Sequence, residues 1–124
     1  MKKKSVFAFV LCVLLAGCSV NKPQPEISIV PQPLEMIVQN GEFHLKKQVV
    51  IGISDDRLQA AADYLKDKIV KATGSEVKTG KGNGDIMLLL ADTVLGGKEG
   101  AYRLCIDKDR ITLVGNDYGS IISG

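Results

Sequence analysis

The sequence predicts a single small α+β domain behind an N-terminal leader, and three stretches carry that expectation. Residues 54–74 place apolar side chains at helical steps, residues 85–91 are apolar at consecutive positions after Asp85, and residues 102–114 read as two strands about a charged turn. A helix with one apolar stripe has to bury that stripe, so it must pack on a sheet.

The leader comes first along the chain. Lys2, Lys3 and Lys4 precede an apolar run over residues 6–15, too short to span a bilayer, and Leu15-Ala16-Gly17-Cys18 closes it with small residues before a cysteine. This anatomy predicts a lipoprotein signal over residues 1–17, with Cys18 as the lipidated first residue of the mature chain. Residues 18–26 contain Asn21-Lys22-Pro23-Gln24-Pro25, a polar stretch without apolar period. Proline there fixes φ and donates no hydrogen bond, so the stretch reads as a tether.

Ordered structure is expected from Ile27. Residues 27–30 form a short β-prone run stopped by Pro31-Gln32-Pro33, which places it at an edge. Asn40-Gly41 is a strong turn dipeptide, so residues 36–38 and 42–45 are expected as the arms of a hairpin. Residues 48–53 are β-branched and lead to Ser54, Asp55 and Asp56, candidate caps of a helix that stops near Gly74. Leu58, Ala61, Ala62, Leu65, Ile69 and Ala72 make its apolar stripe, so Leu65 and Ile69 are expected to be buried. Gly80-Lys81-Gly82-Asn83-Gly84 reads as a flexible connection into residues 85–91, whose two apolar faces predict a central strand. Tyr102, Leu104 and Ile106 alternate with more polar neighbours, predicting a half-buried strand with Cys105 as a small filler. Asp107-Lys108-Asp109-Arg110 turns that strand into residues 111–114.

Composition narrows the function classes. Removing residues 1–17 takes three lysines from the 16 basic residues and none of the 14 acidic ones, so the formal charge moves from +2 to −1. The basic balance belongs to the leader, and the mature chain has no Lys/Arg field of the kind nucleic acid requires. Membrane attachment is therefore expected through acyl chains alone. With Cys12 in the leader and Cys18 lipidated, Cys105 has no disulfide partner, and with His44 as the only histidine a structural zinc site lacks ligands.

No candidate for catalysis survives a physical test. His44 lies between charged neighbours on a strand and reads as solvated. The Gly80–Gly84 run is not a phosphate loop, because its lysine lacks a following Ser or Thr and it leads into a strand rather than a helix. Asp107 and Asp109 sit in a turn, where carboxylates normally meet water. The expectation is no catalytic residue, no cofactor and no metal.

Three patterns in order then resemble a known family: Ile29-Val30-Pro31-Gln32-Pro33 before a hairpin, a strand-helix-strand body, and Ala101-Tyr102-Arg103-Leu104 leading through Ile111-Thr112-Leu113-Val114-Gly115-Asn116-Asp117. Together they resemble the N-terminal domain of bacterial β-N-acetylhexosaminidases of glycoside hydrolase family 20. The resemblance implies a mostly antiparallel sheet with helices packed on one face, preceding a separate catalytic barrel. It also implies a mechanism in which a glutamic acid protonates the glycosidic oxygen while an aspartate orients the substrate's acetamido group. Those residues belong to the barrel, and no acid here matches them.

Residues 27–124 are therefore expected to be a hexosaminidase-type accessory domain whose catalytic barrel is missing from this chain, a fragment of an exo-acting enzyme that removes terminal N-acetylhexosamine. Its partners would be that barrel, the glycan held through it, and a membrane through the lipid, at the outer membrane or facing the periplasm of a bacterial envelope. Asn116 would start a connecting helix with Ile121 and Ile122 on its buried face. Two alternatives remain: a stand-alone envelope lipoprotein binding a glycan or protein, and the leading domain of a hyaluronidase-like or α-glucuronidase enzyme. Lipidation is directly testable. Mass spectrometry should find diacylglycerol on an N-terminal Cys18, and Cys18→Ser should abolish membrane attachment; an intact Met1 terminus would refute the assignment.

Overall fold

A computed structural model describes residues 26–29 and 32–124, and the chain divides into two compact units, residues 1–37 and 38–124. The leader, Cys18 and nearly all of the tether lie outside the described residues, as do Val30 and Pro31. In the first unit the described residues carry neither helix nor strand, so residues 27–29 are not the expected edge strand. In the second, residues 38–46 also lack strands, with Asn40 in a bend. The Asn40-Gly41 hairpin is absent because its arms leave Ile37, Val38 and Leu45 exposed, and a two-stranded hairpin without a packed face is marginal in water.

Regular structure begins with β1 (Gln48–Ile53), where Val49, Ile51 and Ile53 are fully buried. Asp55 caps the short 3-10 turn Asp56–Leu58 by accepting from the Arg57 N–H, and the chain runs on into α1 (Gln59–Thr73), which ends at Gly74 in the left-handed region. Next come β2 (Glu76–Lys81), β3 (Ile86–Leu90), a 3-10 turn Val94–Gly97, β4 (Tyr102–Ile106), β5 (Ile111–Gly115) and α2 (Tyr118–Ser123). β2 escaped the sequence reading, because Glu76 and Lys78 alternate with only one large apolar residue, Val77.

The strands form one sheet in the order β2-β1-β3-β5-β4. β1 pairs in parallel with both β2 and β3, β3 pairs in parallel with β5, and only β4 with β5 is antiparallel. The expected mostly antiparallel sheet is thereby corrected to a mostly parallel one. Its cause lies in the connections: α1 returns the chain from β1 to β2 in the same direction, and among the described strands a tight reversal joins only β4 to β5, at Asp107–Arg110, where the Asp107 N–H donates to the Arg110 carbonyl at 3.1 Å. β3 is the central strand, as its two apolar faces require.

One face of the sheet carries the core. Val49, Ile51, Ile53, Val77, Ile86, Leu88 and Leu113 pack with Leu58, Ala61 and Ala62 at the start of α1 and with Ile121 of α2. Leu65 and Ile69 touch this cluster but are only partly buried, which corrects the expectation for both. The cause is the open space beside α1: α2 is only six residues long and covers part of the sheet.

The link from β2 to β3 is the unusual connection. Parallel strands ordinarily need a crossover of a dozen or more residues, yet here residues 82–85 suffice. Register explains it, since Ile51 stands level with both Thr79 and Ile86, so β3 starts alongside the end of β2 and the chain retreats only slightly while passing over β1. It passes on the face opposite the helices. A Cβ on Gly52 would collide with the Gly82 carbonyl oxygen and approach the Met87 sulfur to 2.7 Å, and one on Gly84 would lie 2.5 Å from the Val50 carbonyl oxygen. The connection read as flexible is a close backbone crossing.

Side chains complete the short β1–β3 ladder, which pairs only Ile51–Ile53 with Ile86–Leu88. Below it the Asp85 carboxylate accepts from the Val50 N–H at 2.9 Å and from Lys46 Nζ at 2.7 Å; above it the Ser54 hydroxyl accepts from the Leu90 N–H at 3.1 Å. The lysine ammonium, and then the Val50 amide, hold the Asp85 carboxyl below its ordinary value of 3.8.

Two outcomes test this seam. Gly52→Ala should destabilise the domain by about 3 kcal/mol or more, because the nearest obstructing atom, the Gly82 carbonyl oxygen, is backbone, whereas Gly80→Ala, whose Cβ meets nothing within 4 Å, should change stability little. Thermal unfolding of both variants decides it. Asp85→Asn should cost about 1–2 kcal/mol near pH 7. Since folding lowers the pKa of Asp85, its contribution is present above the unfolded value and is lost as pH falls through the folded one. The difference from wild type in denaturant titrations should therefore shrink on acidification below 3.8.

Candidate functional site

Above the core, α1 and α2 leave a groove of about 300 Å³ floored by the sheet. Ala61, Tyr64 and Leu65 of α1 form one wall, and Ile121 and Ile122 of α2 the other. Leu88, Leu104 and Leu113 lie among the floor residues. The lining is overwhelmingly aliphatic, and part of it meets solvent: Leu104 is 38% exposed and Ile122 is 49% exposed. A surface of this kind favours contacts that exclude water, and Tyr64 carries the one hydroxyl among its lining side chains. A second hollow of about 390 Å³ lies within the first unit among Ile27, Ile29 and Met36, bounded by backbone without helix or strand.

The position of α2 depends on two adjacent side chains that the sequence pointed to only as a helix start. Asn116 lies just before the cap and holds the 3-10 turn instead: its carboxamide oxygen accepts from the Val94 N–H at 2.9 Å, and its nitrogen donates to the carbonyls of Val94 at 2.9 Å and Lys98 at 2.5 Å. Asp117 is the cap, accepting from the Ser120 N–H at 2.7 Å and hydroxyl at 2.9 Å, and from the Gly100 N–H at 3.2 Å. These amide bonds, led by that of Ser120, lower the Asp117 pKa. Ile121 then faces the core while Ile122 is exposed, so only the first of the expected pair is buried.

The residues weighed for chemistry are spread apart. His44 and Glu42 approach to 3.9 Å in open solvent. Asp107 Oδ1 accepts from the N–H groups of Asp109 and Arg110 at 2.9 and 3.0 Å, a turn device. In the Gly80–Gly84 run, the Gly82 N–H donates to the Ile53 carbonyl and the Gly84 N–H reaches the Met87 sulfur, so the amides do not form an anion cradle. Cys105 is exposed on β4 and fills no core position. Among the described residues no cluster of His, Cys, Asp or Glu is arranged to hold a metal ion, and no helix is long and apolar enough to cross a membrane.

The carboxylates argue the same way. A glycosidic general acid needs a carboxyl held protonated near neutral pH by desolvation or a like charge. Asp55, gripped by the Arg57 guanidinium, is instead lowered to about 2, and Asp85 and Asp117 are also displaced downward. Each is committed to an ion pair or to backbone amides, which favours the ionised form.

Comparison with curated protein sequences finds no match. Among solved structures, the fold is similar to an exo-β-N-acetylglucosaminidase of family 20 from Vibrio harveyi in complex with N-acetylglucosamine, with a TM-score of 0.64 at 19% identity over 75% of this chain. An inactive mutant of that enzyme gives 0.63 at 20% identity over 73% of this chain. A mutant β-hexosaminidase from Streptomyces plicatus in complex with its product gives 0.56 at 28% identity over 67%. This chain spans 14% of the length of the Vibrio enzyme and 17% of the Streptomyces one. Residues 26–124 match the model of glycosyl hydrolase family 20, domain 2, and the chain belongs to that family as its domain 2.

Proposed function

We propose that this chain is the non-catalytic accessory domain of an exo-β-N-acetylhexosaminidase that removes terminal N-acetylhexosamine from glycans, lipid-anchored at a bacterial cell envelope through Cys18. The observation that carries the reading is the family match over residues 26–124, together with the small share of each similar structure that the fold accounts for. Catalysis is assigned to a separate barrel domain. The downward displacement of Asp55, Asp85 and Asp117 supports that assignment, since none of them is tuned as a glycosidic acid.

The groove between α1 and α2 is proposed as the surface that the catalytic domain covers. Exposed Tyr64, Leu104 and Ile122 give it the character of an interface between domains of one chain. The task of the domain is then to present and brace the barrel.

Purified chain should leave aryl N-acetylglucosaminides and chitooligosaccharides intact. Turnover that survives repurification and disappears when an acid of this chain is replaced would overturn the non-catalytic reading. Joining a family 20 catalytic domain after Gly124 should slow amide hydrogen exchange at Ile121 and Ile122. Equal exchange with and without the barrel would reject docking at this groove and favour a stand-alone envelope lipoprotein.

A further inference from the structure

Among the described residues β4 (Tyr102–Ile106) ends the sheet, with β5 on one side only. Its hydrogen-bonding parity follows from two contacts: the Asp107 N–H donates to the Arg110 carbonyl at 3.1 Å, and the Ala101 carbonyl accepts from the Asn116 N–H at 3.2 Å. Odd-numbered residues thus turn their backbone groups toward β5. The N–H and C=O groups of Tyr102, Leu104 and Ile106 point to the free edge. Side chains alternate across the other direction, with Leu104 and Ile106 on the helix-bearing face and Arg103, Cys105 and Asp107 on the opposite one. Leu104 and Ile106 are 38% and 56% exposed, more than aliphatic residues of a finished sheet require.

We propose that this edge pairs with the same edge of a second copy, antiparallel about a two-fold axis through Cys105, so that two five-stranded sheets become one. The inference is independent of the glycosidase reading. Only registers that set even residues against even residues keep the outward hydrogen bonds, which leaves axes at Leu104, Cys105 or Ile106. The axis at Cys105 is the one that charge selects. It places Arg103 opposite Asp107 of the partner subunit, twice by symmetry, and Leu104 opposite Ile106 of the partner subunit as hydrogen-bonded apolar pairs. Asp107 commits Oδ1 to its own turn, leaving Oδ2 for the cross-strand ion pair. An axis at Leu104 sets Arg103 against a cysteine, and one at Ile106 sets Asp107 against a cysteine; each loses both ion pairs.

The register supplies its own test. Cys105 meets Cys105 of the partner subunit as a non-hydrogen-bonded pair, with Cα atoms about 4.5 Å apart, inside the range a disulfide spans. Full-length chain is treated with copper–phenanthroline and dioxygen, which accept the two electrons and two protons released for each S–S bond formed. Trypsin cuts after Arg103 and Lys108, so two Leu104–Lys108 peptides joined through Cys105 report the pairing by mass spectrometry. That linked peptide should form readily in wild type. Arg103→Glu removes the cut after residue 103, so its linked peptides span residues 99–108; their disulfide should form about tenfold more slowly, because two attractive pairs become repulsive. Mixing Arg103→Glu with Asp107→Lys should restore the rate as a peptide of residues 99–108 joined to one of residues 104–107, opposite signs then meeting at both ends. Restoration on mixing also shows that the variants are folded. Absence of the linked peptide from wild type, a dimer linked elsewhere, or an unchanged rate in Arg103→Glu would overturn the proposal.

Discussion

The passage of residues 82–85 across β1 is the constraint on which the rest of the domain depends. It sets β2 and β3 on opposite sides of β1 and makes all three parallel, so β1 is enclosed on both edges by strands and on one face by α1. A backbone crossing at this distance leaves no room for a side chain below it, and the glycine at 52 meets that requirement. From there the apolar alternation of β1 has one solution: Val49, Ile51 and Ile53 face the helices, while Gly52 lies under the crossing.

Polar groups do a related job at the margins. The β1–β3 pairing is only three residues long, and without Asp85 below it and Ser54 above it two backbone N–H groups would end unmatched beside a buried strand. Asn116 and Asp117 close the other end of the sheet by tying the Val94–Gly97 turn and the first turn of α2 to the end of β5. These residues resemble machinery in sequence because they are charged or amide-bearing and clustered. In the fold their hydrogen-bonding capacity is spent on the backbone and, for Asp85, first on the Lys46 ammonium, so the carboxyls of Asp85 and Asp117 are lowered toward the ionised form.

The proposed functions of this domain accordingly rest on surfaces. The groove between α1 and α2 and the free edge of β4 are different kinds of surface, one satisfied by apolar area and the other by backbone hydrogen bonds. They meet at Leu104, whose backbone lies on the edge and whose side chain lines the groove. On the proposed reading, the domain braces a catalytic domain on its helix-bearing face and still presents a sheet edge to another chain.

Much of the fold was legible in the residues themselves. The stripe from Leu58 to Ala72 specified a helix, the run of residues 86–90 specified a central strand, and the four charges of Asp107–Arg110 specified a turn, because each signal is local and repeats at the period of its element. The motifs at residues 101–117 pointed to the family that residues 26–124 match. Strand direction and partner were not legible, since a parallel or antiparallel neighbour is chosen by how distant segments meet. The Asn40-Gly41 turn shows the converse: the dipeptide favours a hairpin, but no packed face holds its arms as strands. Likewise the glycines at 82 and 84 read as looseness until the tertiary structure placed β1 beneath them, and Leu65 read as core until α2 proved too short to cover it. Local periodicity decided which segments became helix or strand; only the packing of segments far apart in sequence decided which faces were closed and which were left open.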